Sequence, residues 1–148
     1  MESEKLIKHP QIKKILEHYR VVWALNHFSN LGNWDLDTYM PEEGIEARSA
    51  ALSKVASLTQ KIFLERDFVS LIRETSKLKD LNEYERAVIR VLLRTLKFYE
   101  KLPAEFIEEF VKMTSEARAV WKKAREKDDF SLFEPYLEKI VELCRKKA

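Results

Sequence analysis

Apolar residues recur every three or four positions along almost the whole chain, the spacing that gathers them on one face of an α-helix. The first such run extends from about Pro10 to Leu31. Pro10 suits a first helical position, where its missing N–H costs nothing. The stripe is Ile12, Ile15, Leu16, Tyr19, Val22 and Trp23. Continued at the same spacing, it reaches Asn26, His27 and Asn30. The stripe thus turns polar before the helix ends, so this end either leaves the core or lines a polar cavity.

A second helix is expected from Pro41 to about Ile62, with Glu42 and Glu43 complementing its positive end. Its stripe is Ile45, Arg48, Leu52, Val55, Thr59 and Ile62. Ala47, Ala50, Ala51 and Ala56 are small enough to let a neighbouring helix approach. A break near Glu65–Asp67 leads to a shorter helix ending near Leu78. Asn82 and Glu85 have capping-box spacing and open a helix to about Glu100, carrying Tyr84, Val88, Val91, Leu92 and Leu96. Pro103 starts the next, with Phe106, Phe110, Met113, Ala117, Trp121 and Ala124 on one face, and Asp128-Asp129 ends it. Ser131 and Glu134 repeat the capping-box spacing before a last helix that buries Phe133, Tyr136, Leu137, Ile140 and Cys144. The expected fold is all-α, an antiparallel bundle or array of about five to six helices in one domain, 1–148.

Composition sharpens this picture. The chain has two Gly and four Pro in 148 residues, which leaves little room for strands and turns. Twenty-seven basic residues against twenty-five acidic ones give a net charge of +2, too even to imply nucleic acid or an acidic membrane as partner. The basic end, Arg145-Lys146-Lys147, complements a helix C-terminus. No apolar run approaches the ~20 residues of a membrane span, and MESEKLIKHP lacks the apolar centre of a signal peptide. A single cysteine, Cys144, fits a reducing cytoplasm. The 35% of charged residues points to a thermophile.

Both glycines bound one irregular stretch, Gly32 to Gly44, GNWDLDTYMPEEG. As a corner it makes sense: Trp34 and Met40 wedge into the core, Asp35 or Asp37 accepts from loose amides, and Pro41 sets the helix entry. Arg48, two turns into the next helix, can reach back to either Asp. The same two Asp, with Glu42 and Glu43 beyond, could instead form an acid–base pair if their environments separated their pKa values. No metal site is legible. His9, His18 and His27 lie nine apart, so His18 faces away from the other two, which would sit ~27 Å apart on a continuous helix. There is no HExxH pair, no nucleophile in a triad context and no glycine-rich phosphate loop.

WDLDTYMPEEGIEAR resembles the N-terminal signature of the carboxypeptidase Taq family of thermostable zinc metallocarboxypeptidases, in Trp34, Asp35, Thr38, Met40, Pro41, Gly44 and Arg48. NEYERAVIRVL is similar too, as is the stretch with Trp121, Ala124, Arg125, Phe130, Phe133, Pro135 and Leu137. The resemblance implies a zinc enzyme whose ligands are the two His of an HExxH helix and a later Glu. None of these is in this chain, so the resemblance gives it no catalytic or metal-binding residue and no cofactor of its own. It implies instead the N-terminal helices that wall or cover a substrate groove, with Asn26, His27 and Asn30 as groove lining. The expected partner is a second copy or a separately encoded catalytic chain, met by apolar residues outside the main stripes: Phe28, Phe63, Phe68, Leu93 and Phe98. The alternative is a stand-alone helical interaction module, and a third reading makes the Asp pair an independent enzyme.

Overall fold

The computed structural model describes residues 6–147. The readings made from residues 1–5 and from the Lys147 side chain lie outside them. Among the described residues there are six α-helices: α1 (Pro10–Thr38), α2 (Ile45–Phe63), α3 (Arg66–Thr75), α4 (Glu83–Tyr99), α5 (Ala104–Glu126) and α6 (Glu134–Lys147). Single 3-10 turns occupy Glu42–Gly44 and Phe130–Leu132, and no strand is present among these residues. This is the all-α array that the apolar spacing predicts. No described helix is long and apolar enough to cross a membrane. The chain divides into two compact units. One takes in the chain up to Ala24 together with Thr59–Pro103; the other takes in Leu25–Leu58 and the chain from Ala104 onward.

The first unit has a large apolar core. Ile12, Ile15 and Val22 of α1 meet Phe63, Phe68, Ile72, Ile89, Leu92 and Leu96, all buried. Phe63 and Phe68, expected at an interface from their places outside the stripes, are instead buried in this core. They are 0% and 2% exposed and sit edge to face, with centroids 5.5 Å apart. The His18 ring stacks on Phe68 at 4.0 Å, and Tyr99 meets Phe63 edge-on at 5.3 Å. Such pairs add about 0.5–1.5 kcal/mol beyond area burial.

The capping box of α4 forms as its spacing predicts: the Asn82 side chain accepts from the Glu85 N–H, and Glu85 accepts from the Asn82 N–H. Glu85 also has a distant role. Its other oxygen accepts from the N–H groups of Lys8 and His9, both at 2.8 Å, which ties the N-terminal segment to α4. The core line on α4 is Glu85, Ile89, Leu92 and Leu96. Tyr84 and Val91, expected inside, are exposed. The buried line lies one residue over because Glu85 must face inward to reach Lys8 and His9.

The second unit has few large buried side chains: Leu36, Leu52 and Leu143. Its other buried positions are small, namely Ser49, Ser53, Ser57, Ser115, Ala117 and Ala124. On α2 the serines supply the close-packing face, and Ala47, Ala50 and Ala51 are exposed. Serine hydroxyls can be buried here because each finds an acceptor: Ser49 donates to the Ile45 carbonyl at 2.6 Å and Ser53 to the Ala50 carbonyl at 2.9 Å, while Ser57, 3.2 Å from the Lys54 carbonyl, has a nearer acceptor on α5. Ser57 also lies 2.6 Å from a carboxylate oxygen of Glu108 on α5, which pairs with Lys54 as well.

Three further expectations change in this unit. Trp121 is 43% exposed, with the Arg125 guanidinium over its ring at 5.2 Å. Asp129, not Ser131, is the capping residue before α6: its carboxylate accepts from the Ser131 N–H and starts the 3-10 turn. Asp128 ends α5 in the left-handed region, φ 51°, which Asp tolerates better than most residues. On α6 it is Leu143 that is buried, while Cys144 and Leu137 are exposed. Phe133, Tyr136 and Ile140, expected to be buried, are half-buried.

Candidate functional site

The irregular stretch is mostly helix. α1 runs on through Gly32 to Thr38, so the expected end at Leu31 is seven residues early. Gly32 is there for packing, not for a turn. A Cβ added to it would lie 2.9 Å from the Leu52 side chain of α2. With no Cβ, α1 can approach Leu52, and the buried face of the helix continues through Ser29, Gly32, Asn33 and Leu36. That face is one residue out of step with the line through Asn26, His27 and Asn30, and all three are exposed. The polar turn in the stripe is thus the outer surface of the helix. Asn26 and Asn30 share one outward flank with Asp37, at roughly 100° per residue.

The corner is held by charges reaching the end of α1. The N–H groups of Tyr39 and Met40 both donate to the Asp35 carbonyl, at 3.1 and 3.0 Å. Lys122 of α5 donates to the carbonyls of Leu36 at 3.2 Å and Asp37 at 2.8 Å. These are last-turn carbonyls that no N–H of the helix can reach, and a cation there also opposes the helix dipole. The Thr38 hydroxyl donates to the Trp34 carbonyl at 2.8 Å. Pro41 cannot continue a helix, and the 3-10 turn closes with the Gly44 N–H donating to its carbonyl at 2.9 Å. Lys123 pairs with Glu42 at 2.7 Å.

The helical path separates the two aspartates. Residues two apart on an α-helix point ~200° apart. Asp35 accordingly pairs with Arg48 of α2 at 2.6 Å, and Asp37 pairs with Arg118 of α5 at 3.2 Å. They cannot share a proton or a substrate atom, so the acid–base pair does not form. Trp34 does not wedge into the core. It is 57% exposed and lies beside Tyr39, itself 78% exposed, with centroids 5.5 Å apart. Met40 is half-buried and packs near Gly44, where an added Cβ would stand 3.2 Å from the Met40 Cγ. Of the signature residues, Asp35, Thr38, Pro41, Gly44, Met40 and Arg48 build the corner, while Trp34 faces out. Sequence reasoning missed Arg118 and Lys122. Their i, i+4 spacing marks one face of α5, but nothing local says which chain end that face meets.

A metal ion needs three or more donors at one point. Among the described residues no three His, Cys, Asp or Glu side chains come together. The His9 Nδ1 accepts from the Gln11 N–H at 3.2 Å, and the His18 Nε2 lies 3.3 Å from the Ile62 carbonyl. The donor set of these residues does not fit a catalytic zinc. What the corner can do chemically is fix the angle between two helices and hold their outer faces in place.

Comparison with known proteins adds the context. The family model described as carboxypeptidase Taq (M32) metallopeptidase matches residues 14–148. Thermostable carboxypeptidase 1 of Pyrococcus furiosus is 41% identical over 145 residues, which make up 98% of this chain and 29% of that protein. Carboxypeptidase 1 of Bacillus subtilis is 27% identical over 90% of this chain and 26% of its own length. The solved structure of the Pyrococcus furiosus carboxypeptidase (apo-Mg) superimposes with a TM-score of 0.75 over 96% of this chain and 29% of that one. A structure of BsuCP, 25% identical, does so with a TM-score of 0.87 over 94% of this chain and 28% of that one. The chain thus spans under a third of the length of the relatives it matches.

Proposed function

We propose that this chain, which belongs to the carboxypeptidase Taq (M32) metallopeptidase family, is the non-catalytic N-terminal helical domain of such an enzyme and forms a wall or lid of its substrate groove. Its homology to the N-terminal region of these carboxypeptidases carries the reading: nearly all of this chain corresponds to less than a third of a relative. The exposed flank with Asn26 and Asn30, and His27 beside it, supplies amides and an imidazole suited to facing a peptide. The ordered corner supports the same role, because a wall must hold its angle.

The family's metal and the hydrolytic step belong, on this reading, to residues supplied from outside these 148. The chain's own contribution is to position and enclose a peptide. The partner is the catalytic part of an M32 enzyme, in preference to a second copy. The free, exposed Cys144 agrees with a reducing, cytoplasmic setting.

Incubating the purified chain with C-terminally unblocked peptides and Zn²⁺ or Co²⁺ tests this. No release of C-terminal residues is expected. Metal-dependent release by clean protein, abolished by a chelator, overturns the reading.

A further inference from the structure

Within the first unit, α1 and α4 leave an open groove of about 890 Å³ between them. Its floor is apolar, formed by Ile7, Leu16 and Val88. Two aromatic side chains stand at its sides, Trp23 at 60% exposure and Tyr84 at 44%. Lys13 and Arg20 line it from α1, two turns apart, with Glu17 between them. Neither cation forms an ion pair with a described residue.

We propose that this groove is the docking site for an apolar helix with an acidic flank, contributed by the catalytic part of an M32 carboxypeptidase. The proposal rests on the function proposed above and names the surface through which it acts. Three observations fix the occupant. The walls of the groove are two helices, and a third helix is the element that fills such a space, at the usual 8–10 Å between axes. The lining offers few groups to a peptide backbone: apart from the charges, the Tyr84 hydroxyl and the Trp23 indole N–H are the neutral groups that can hydrogen-bond. An extended peptide would leave its amides unpaired against Leu16 and Val88. A helix has already satisfied its own backbone and needs only apolar side chains to fit, which favours it over a bound substrate. The balance of charge, two cations that pair with no described residue against one acid, selects acidic residues beside the apolar ridge. About 70% of the length of the Pyrococcus furiosus relative lies outside the matched region, and that chain must pack against these helices somewhere.

The test is to co-express this chain with the part of the Pyrococcus furiosus carboxypeptidase that lies outside the 145 matched residues, and to measure the association by sedimentation. A one-to-one complex is expected. Trp23→Glu, and separately Lys13→Glu with Arg20→Glu, should weaken it by at least about tenfold. Lys13→Arg with Arg20→Lys should keep the affinity. These side chains are exposed, so the variants should retain the helical circular dichroism of the parent, and that is checked first. A complex indifferent to all of these changes overturns the groove but leaves the proposed function standing. No complex between the unaltered chain and the soluble catalytic part overturns both. A Trp23-dependent homodimer, or Trp23-dependent binding of short unstructured peptides, assigns the groove another occupant and overturns the proposal.

Discussion

Arg48, in the first turn of α2, reaches back to Asp35 in the last turn of α1 and pairs with its carboxylate at 2.6 Å, both side chains about one-third exposed. The pair closes the angle between the two helices from inside the corner. Asp35→Ala should lower stability by about 1–2 kcal/mol, less than a fully buried charge-assisted bond because water still screens the pair. Asp35→Ala and Arg48→Met should be strongly non-additive in thermal or urea unfolding. Additive losses would mean that each residue acts through other contacts.

Gly32→Ala tests the close approach. Alanine brings ~0.8–1 kcal/mol of helix propensity, but its Cβ collides with Leu52, which is 6% exposed and enclosed. The single variant should be neutral or destabilised. In a Leu52→Ala background the same change should become stabilising by about the propensity difference. A gain in the parent chain would show that α1 and α2 are not in contact there.

Two neighbouring lysines should behave differently. Lys122→Met removes the donor to the Leu36 and Asp37 carbonyls and should cost about 0.5–1.5 kcal/mol. Lys123→Met removes only a solvent-exposed pair with Glu42 and should leave the unfolding midpoint unchanged. Equal losses from the two would refute the capping role of Lys122.

Glu85 makes a pH prediction. Its burial pushes the carboxyl pKa up, but the N–H groups of His9, Asn82 and Lys8 together pull it further down, so the net shift is below the ordinary value of 4.5. A lowered folded pKa means that the unfolded chain binds the proton more readily. The contribution is complete above about pH 4.5 and is lost as pH falls through the folded value. Glu85→Gln should cost about 1.5–3 kcal/mol at pH 7 and flatten the fall in stability below pH 4.5. An unchanged acid slope would show that Glu85 is not the group that titrates.

By itself, the sequence determined whatever depends on a few neighbouring residues. Six helices, the Asn82–Glu85 cap and the break near Glu65–Asp67 all follow from side chains acting on backbone groups within one or two turns. The family signature was legible too, as a string of residue types. Its arrangement was not. Gly32 reads as a turn in the sequence, but it lies inside α1, which runs on to Thr38, and its missing Cβ leaves room for Leu52. The longer helix then decides that Asp35 and Asp37 point to different partners and that Asn26, His27 and Asn30 face outward. Burial of Ser49, Ser53 and Ser57 in place of the nearby alanines follows the same rule. A helix's apolar spacing tolerates a drift of one residue, and the neighbouring helix chooses the face. Such choices rest on contacts between residues 13 (Asp35 and Arg48) to 86 (Leu36 and Lys122) positions apart, which only the tertiary structure brings together.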